Sequence, residues 1–104
     1  MPDKSSSNYL VSTKVRVKVG EIEHVLKLFR ETNPSLVKGE DDWIKAVFSK
    51  HEETNTLMVL AYWRSKESYL IFSRSKQFRE TVQKFALYFI EEPTTEVSEI
   101  LFEM

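Results

Sequence analysis

Residues 57–69, LMVLAYWRSKESY, decide the fold of this chain of 104 residues. The first seven are apolar, as in a strand that is buried on both faces. Ser65 then offers a hydroxyl that can cap a helix, and Glu67 in the first turn suits the helix dipole. Ten residues after that cap, Ser75 offers a second one. The pattern predicts a strand followed by two capped helices, with Trp63 at the mouth between sheet and helices.

The residues before this stretch predict a strand and a helix. Residues 9–19 alternate between β-branched and polar side chains, which is typical of a strand, and Gly20 ends it. From Glu21 the period changes to that of an amphipathic helix. Asn33 and Pro34 are predicted to end this helix, because proline disfavours helical geometry in the residue before it. The apolar stripe of the helix consists of Ile22, Val25, Leu26 and Phe29.

Two more strands complete the pattern. A polar loop over residues 35–42 precedes a strand over residues 43–50, and a turn over 51–55 leads to the strand 56–63. In the strand 43–50 we expect Ile44, Ala46 and Phe48 on one face, with Trp43, Lys45 and Val47 on the other. Phe78, Val82, Phe85 and Phe89 repeat along the last helix, and Pro93 marks its end. A final strand is predicted over residues 97–104.

The order β-α-β-β-α-β predicts an α+β fold of the ferredoxin-like kind, an antiparallel sheet with its helices on one face. The length allows one domain, placed at residues 9–104, after a polar and mobile tail over residues 1–8.

The strand 56–63 is apolar on both faces, which a lone sheet covered on one side does not require. Leu57, Val59, Ala61 and Trp63 point one way, and Met58, Leu60 and Tyr62 the other. A lone sheet would expose an apolar patch on the order of several hundred Å², which is rare on monomers. We therefore expect a homodimer packed sheet to sheet. The alternative is a central strand shielded by long side chains from its neighbours.

Composition argues against several classes of function. Cysteine is absent, the net charge is −1, and only two histidines and two glycines are present. We therefore expect no metal site, no bound cofactor, no glycine-rich phosphate loop and no nucleic-acid partner. No apolar run is long enough for a membrane span or a signal peptide, so a cytoplasmic protein without a membrane partner is expected.

The residues left to carry chemistry are Trp63, Tyr69, Phe72 and Arg79. Trp63 and Tyr69 offer two hydrogen-bond donors beside an apolar wall, and Arg79 adds a fixed positive charge. Such a set suits an aromatic or quinone-like ligand on which an oxyanion develops. The alternative is that Trp63 and Phe72 belong to the core, Tyr69 is half-buried, and Arg79 is solvated.

These residues resemble the antibiotic biosynthesis monooxygenase (ABM) family, whose members form dimeric α+β barrels. The resemblance extends from about Val11 to Phe102. It is carried by the Gly39 loop, the acidic turn 51–55, the motif YWRSKES at 62–68 and the motif SKQF at 75–78.

One branch of this family implies cofactor-free oxidation of polyphenols or quinols, in which the substrate supplies the electrons to dioxygen. Its Trp, Tyr and Arg match Trp63, Tyr69 and, with a short gap, Arg79. An Asn four residues before the Trp is replaced by Val59. A haem-degrading branch resembles the chain in shape, but its Asn, Trp and His fall on Thr13, Phe72 and Val82, which argues against haem degradation.

From the resemblance we expect a cofactor-independent monooxygenase acting on an aromatic small molecule bound between helices and sheet. Trp63, Tyr69 and Arg79 would be catalytic, and Phe48, Val59, Phe72 and Val82 would line the pocket. The alternative is a non-catalytic small-molecule-binding or interaction domain of the same dimeric fold. Many family members have a His near the position of Phe72, and its loss here favours that alternative.

Overall fold

Four β-strands and three α-helices make up residues 8–104, the part of the chain that the computed structural model describes. The predicted tail therefore lies outside the described residues, apart from Asn8. The elements in chain order are β1 (Tyr9–Arg16), α1 (Ile22–Val37), β2 (Trp43–His51), β3 (Thr56–Trp63), α2 (Lys66–Ser73), α3 (Lys76–Ala86) and β4 (Thr94–Glu99). A short 3₁₀ turn (Glu52–Thr54) connects β2 to β3.

The strands form one antiparallel sheet in the order β2-β3-β1-β4, which confirms the predicted ferredoxin-like α+β fold. The central pair is β1 and β3, whose register places Val11 opposite Ala61 and Val15 opposite Leu57. Since directly opposed residues point to the same face, these side chains share the face that the helices cover. β2 and β4 are the two edge strands.

The core lies between this face and the helices. Its buried cluster joins β1 and β3 to α1 and α3. The cluster consists of Val15, Val17, Ile22, Val25, Leu57 and Phe85. On the opposite face, Met58 and Val47 remain 37% and 44% exposed, as the two-sided pattern of β3 predicts.

Helix α1 continues through Pro34 to Val37, so the prediction that Asn33 and Pro34 end it was wrong. Pro34 has no N–H, and the carbonyl of Arg30 therefore lacks the donor that a helix normally supplies. The turn beyond the proline buries Leu36 against the core side. That burial compensates for the missing hydrogen bond and keeps the last turn helical.

Trp43 lies on the helix-covered face, and its predicted placement with Lys45 and Val47 was wrong. The register of β2 against β3 shifts at Ile44, with Trp43 opposite Trp63 and Lys45 opposite Tyr62. A bulge of this kind places two residues of one strand against one of its partner and reverses the alternation. Trp43 therefore shares a face with Ala46 and Phe48.

The chain after the last helix also differs from the prediction. α3 ends at Ala86, and Phe89 forms an isolated bridge with Val17 instead of continuing the helix. β1 likewise ends at Arg16, and Val19 is exposed. β4 covers Thr94–Glu99, not 97–104, because it pairs only with β1 and the pairing ends at Tyr9 opposite Glu99.

Candidate functional site

An aromatic cluster occupies the join between β3 and α2 that the sequence singles out. The ring centroid of Trp63 lies 5.6 Å from that of Tyr69 and 5.1 Å from that of Phe72. Phe72 in turn lies 5.0 Å from Phe78 of α3. Trp63 is only 1% exposed, so its indole is covered by α2. The structure thus brings Trp63, Tyr69 and Phe72 together, as a packed cluster.

The sequence around Trp63 explains why α2 lies so close to the sheet. The Ser65 hydroxyl accepts a hydrogen bond from the Ser68 backbone N–H over 3.1 Å, which caps the helix as predicted. The Ser68 hydroxyl donates to Asp42 Oδ2 over 2.5 Å. Arg64 donates from its guanidinium to the Asp41 carbonyl over 2.8 Å. The last two bonds join the start of α2 to the loop that precedes β2.

Tyr69 is half-buried, and desolvation by burial raises the pKa of its phenol. The phenol is therefore protonated at neutral pH and can donate a hydrogen bond. A donor beside an apolar wall is the role that the sequence predicts for it.

The remaining predicted site residues are spread over the helix-covered face. Arg79 is exposed on α3, and among the described residues no carboxylate lies within ion-pair distance of it. Val82 lines a cavity of about 490 Å³ between α3 and residues 89–93. Val59 lies opposite Phe48 in the sheet, and Phe48 lines a different and larger cavity.

That larger cavity is an open groove of about 990 Å³ between α1 and β2, which we call the α1–β2 groove. Its aromatic walls are Phe29, Trp43 and Phe48, and the rings of Phe29 and Phe48 are 5.2 Å apart. The other lining residues are Leu26, Arg30, Asn33, Pro34, Val37, Lys38, Lys45 and Ala46. The groove borders the aromatic cluster, because Trp43 in its wall is the register partner of Trp63.

Sequence reasoning missed most of the groove. A signal was present in α1, where Phe29, Asn33 and Val37 repeat at intervals of four residues and continue the amphipathic stripe past Pro34. Pro34 predicts a helix end within this stretch, and the period contradicts that prediction. Trp43 was missed because a bulge has no clear mark in a single sequence.

Two further findings bear on cofactors and membranes. Within residues 8–104, no group of three or more His, Asp or Glu side chains is placed to hold a metal ion. None of the helices described is both long and apolar enough to span a bilayer.

Fold and groove together define a small ferredoxin-like α+β domain with an open aromatic site between helix and sheet. The family model described as antibiotic biosynthesis monooxygenase matches residues 8–84, well over half of the chain. The chain therefore belongs to the antibiotic biosynthesis monooxygenase family. A search of the curated proteins finds no significant match.

Solved structures share the fold at low sequence identity. A conserved protein from Methanosarcina mazei is 19% identical, with a TM-score of 0.77 over 90% of this chain and 93% of that one. Rv0793 from Mycobacterium tuberculosis is 12% identical, with a TM-score of 0.76 over 93% of this chain and 98% of that one. A further structure, an antibiotic biosynthesis monooxygenase, is 15% identical, with a TM-score of 0.73 over 89% of this chain and 98% of that one.

Proposed function

We propose that this chain is a cofactor-independent monooxygenase that acts on an aromatic, quinol-type small molecule held between the helices and the sheet. The observation that carries the proposal is the α1–β2 groove, which is open, has aromatic walls and borders the Trp63 cluster. Its volume of about 990 Å³ lies at the upper end of the range for small-molecule sites. Membership of the monooxygenase family supports the choice of reaction.

In the proposed reaction the substrate itself is the reductant. A ring CH₂ group and O₂ become a ring C=O group and water, so one oxygen atom enters the substrate and the other accepts both hydrogens. The protein binds the ring, orients it and stabilises the negative charge that develops on its oxygen. From the adjoining aromatic cluster, Tyr69 is proposed as the hydrogen-bond donor and Trp63 as the ring that holds Tyr69 in place. Arg79 on α3, which does not line the groove, is proposed as a more distant positive charge that stabilises the anion.

The test measures oxygen consumption with anthrone as the substrate, in metal-free buffer without flavin. We expect the wild type to exceed the protein-free rate, and Tyr69→Phe and Arg79→Ala each to lower kcat. Removing one donor to a developing oxyanion typically costs about 100-fold or more. Arg74→Ala, which removes an exposed cation just after α2, is the matched control and is expected to retain the wild-type rate. Unchanged turnover in both Tyr69→Phe and Arg79→Ala would exclude these catalytic roles.

A second candidate function is a small-molecule-binding domain without turnover. The observation in its favour is that Phe72 packs directly on Trp63, which leaves the indole covered. Tyr69 and Arg79 also line neither the α1–β2 groove nor the cavity between α3 and residues 89–93. A chain that binds an aromatic ligand in the groove and consumes no oxygen would support this function over the first.

We further propose that the chain forms a homodimer through the sheet face that the helices leave open. That face carries Leu10, Val47, Met58, Leu60 and Tyr62, which lie near one another in the register. Covering an apolar surface of this kind is the usual reason for two sheets to pack face to face.

The test of the dimer is the mass in solution by light scattering. Leu60 lies between Ser12 and Val47, and Leu60→Lys places a charge at the centre of the face. We expect a dimeric wild type and a monomeric, folded Leu60→Lys. Gln77→Lys on the exposed side of α3 is the control and should remain dimeric. A monomeric wild type would refute the proposal.

A further inference from the structure

The helical wall of the α1–β2 groove carries two positive charges. Leu26, Arg30 and Pro34 follow each other at intervals of four residues, which places them in one row along α1, and Lys38 directly follows the last residue of the helix. Eight residues separate Arg30 from Lys38, so their backbones are about 12 Å apart along the direction of the helix. A neighbouring row contains Phe29, which contacts Phe48 and therefore lies deeper. The aromatic walls are thus inside, and the cations stand at the mouth.

These two cations face no acidic side chain within the groove. No aspartate or glutamate lines the groove. Over residues 8–104, no carboxylate forms an ion pair with Arg30 or Lys38. A mouth with positive charge only, above apolar walls, complements a ligand that has an apolar ring and a negatively charged substituent.

The third cation of the lining, Lys45, is directed elsewhere. The ammonium of Lys45 lies 4.8 Å from the centroid of the Tyr62 ring. Tyr62 is the register partner of Lys45, on the sheet face that the helices leave open. A cation held over an aromatic face has a favourable partner already. Arg30 and Lys38 are therefore the charges that a ligand in the groove would meet.

We infer that the ligand of the α1–β2 groove is an aromatic carboxylate, with its ring against the wall formed by Phe29, Trp43 and Phe48 and its carboxylate at the Arg30 end of the mouth. A guanidinium presents a fork of N–H donors that fits a carboxylate in two parallel hydrogen bonds. Lys38 adds attraction over a longer range and raises the rate of association. The inference rests on the proposed function, because it takes the groove as the substrate site and specifies the class of molecule that it holds.

The test compares two ligands with the same ring system, 2-naphthoate and 2-naphthol. The first is an anion at neutral pH and the second is neutral. Binding is measured by calorimetry at low salt on the full chain. We expect naphthoate to bind about tenfold more tightly than naphthol, as for a charge-assisted hydrogen bond in place of a neutral one. Raising the salt concentration should weaken naphthoate binding and leave naphthol binding unchanged.

Arg30→Gln is the matched variant, because glutamine keeps much of the length and the helix propensity but not the charge. It should remove most of the preference for naphthoate and leave the affinity for naphthol as it was. Arg74→Gln, outside the groove, is the control and should behave as the wild type. Equal affinities for the two ligands, or a preference that survives Arg30→Gln, would refute the inference while the groove remained a binding site.

Other outcomes separate this inference from the proposed function. If naphthoate binds as expected and anthrone is not oxidised, the aromatic-carboxylate site stands and the oxygenase proposal fails. If neither naphthoate nor naphthol binds, or if Trp43→Ala leaves the affinities for both unchanged, the groove is not the ligand site and the inference fails.

Discussion

The aromatic cluster around Trp63 and the α1–β2 groove lie side by side on the same face of the same sheet, yet one is filled and the other is open. The cluster joins four aromatic rings and the groove wall has three, and Trp63 of the cluster is the register partner of Trp43 in the groove wall. The difference lies in the helices above them. α2 is fixed to the end of β3 by a capped first turn and the Ser68–Asp42 bond, whereas the second half of α1 leaves a groove above β2. Aromatic content alone therefore does not distinguish a core from a binding site.

The largest expected difference between the two regions is in stability. Trp63→Ala removes a fully buried ring and should lower the free energy of unfolding by about 3–5 kcal/mol. Trp43→Ala, whose ring is partly exposed in the groove wall, should cost about 1 kcal/mol. Urea denaturation of the two variants measures both values. Equal losses would mean that the groove is as much a part of the core as the cluster.

The junction between the two regions is the next point to test. Ser68→Ala removes the donor to the Asp42 carboxylate, and hydrogen bonds to charged groups contribute about 1.5–3 kcal/mol. We expect a loss near the lower end of that range in urea denaturation, because the bond is only part-buried. Naphthoate affinity should also fall, since Asp42 directly precedes Trp43. Ser73→Ala, which removes a hydroxyl bonded within α2, is the control and should leave naphthoate affinity unchanged.

A smaller loss of stability is expected from replacing Gly39, the glycine that follows the groove wall. Gly39 has φ +87°, and an added Cβ would meet no atom within 4 Å, so Gly39→Ala acts through the backbone alone. A left-handed conformation costs an L-residue about 1–2 kcal/mol. Gly20, with φ +83°, is the matched control away from the groove. Urea denaturation should show similar losses for both alanine variants, and only Gly39→Ala should weaken naphthoate binding. Reduced binding in Gly20→Ala as well would point to a general loosening of the fold.

The comparison also shows what the sequence could predict. The alternation of β1 and β3 and the two serine caps depend on local spacing, and the structure confirms them. The filled cluster could be anticipated in the same way, because Trp63, Tyr69 and Phe72 lie within ten residues of one another. Their proximity follows from one strand, one cap and one helix.

Phe48 was expected in a pocket, and the four-residue period of α1 indicated part of the groove wall, but the rest of the groove depends on features that local spacing does not determine. Pro34 predicts a helix end, and only the burial of Leu36 in the tertiary structure overrides that preference. Trp43 faces the groove because of a bulge that is defined by the pairing of β2 with β3. β4 ends where β1 begins, so its length is likewise set by its partner and not by the apolar residues 100–102. The catalytic roles of Trp63, Tyr69 and Arg79 stay predictions.

The smallest expected effect is a dependence on pH that comes from Tyr69. Burial raises the pKa of its phenol above the ordinary value of about 10. Below that value the phenol is protonated in both the folded and the unfolded chain, so it adds no pH dependence. As the pH rises through about 10, the phenol loses its proton first in the unfolded chain, which favours unfolding. Above that pH, the free energy of unfolding of the wild type should fall more steeply with rising pH than that of Tyr69→Phe.

The measurement is the difference in free energy of unfolding between wild type and Tyr69→Phe, by urea denaturation from about pH 8 to pH 11. We expect the difference to be constant up to about pH 10 and then to move in favour of the phenylalanine variant. Comparing the two proteins cancels the titration of lysines and other tyrosines. A difference that stays constant up to pH 11 would mean that the phenol is solvated in the folded chain. Tyr69 would then belong to the surface and not to the filled cluster, and the contrast with the open groove would rest on Trp63 and Phe72 alone.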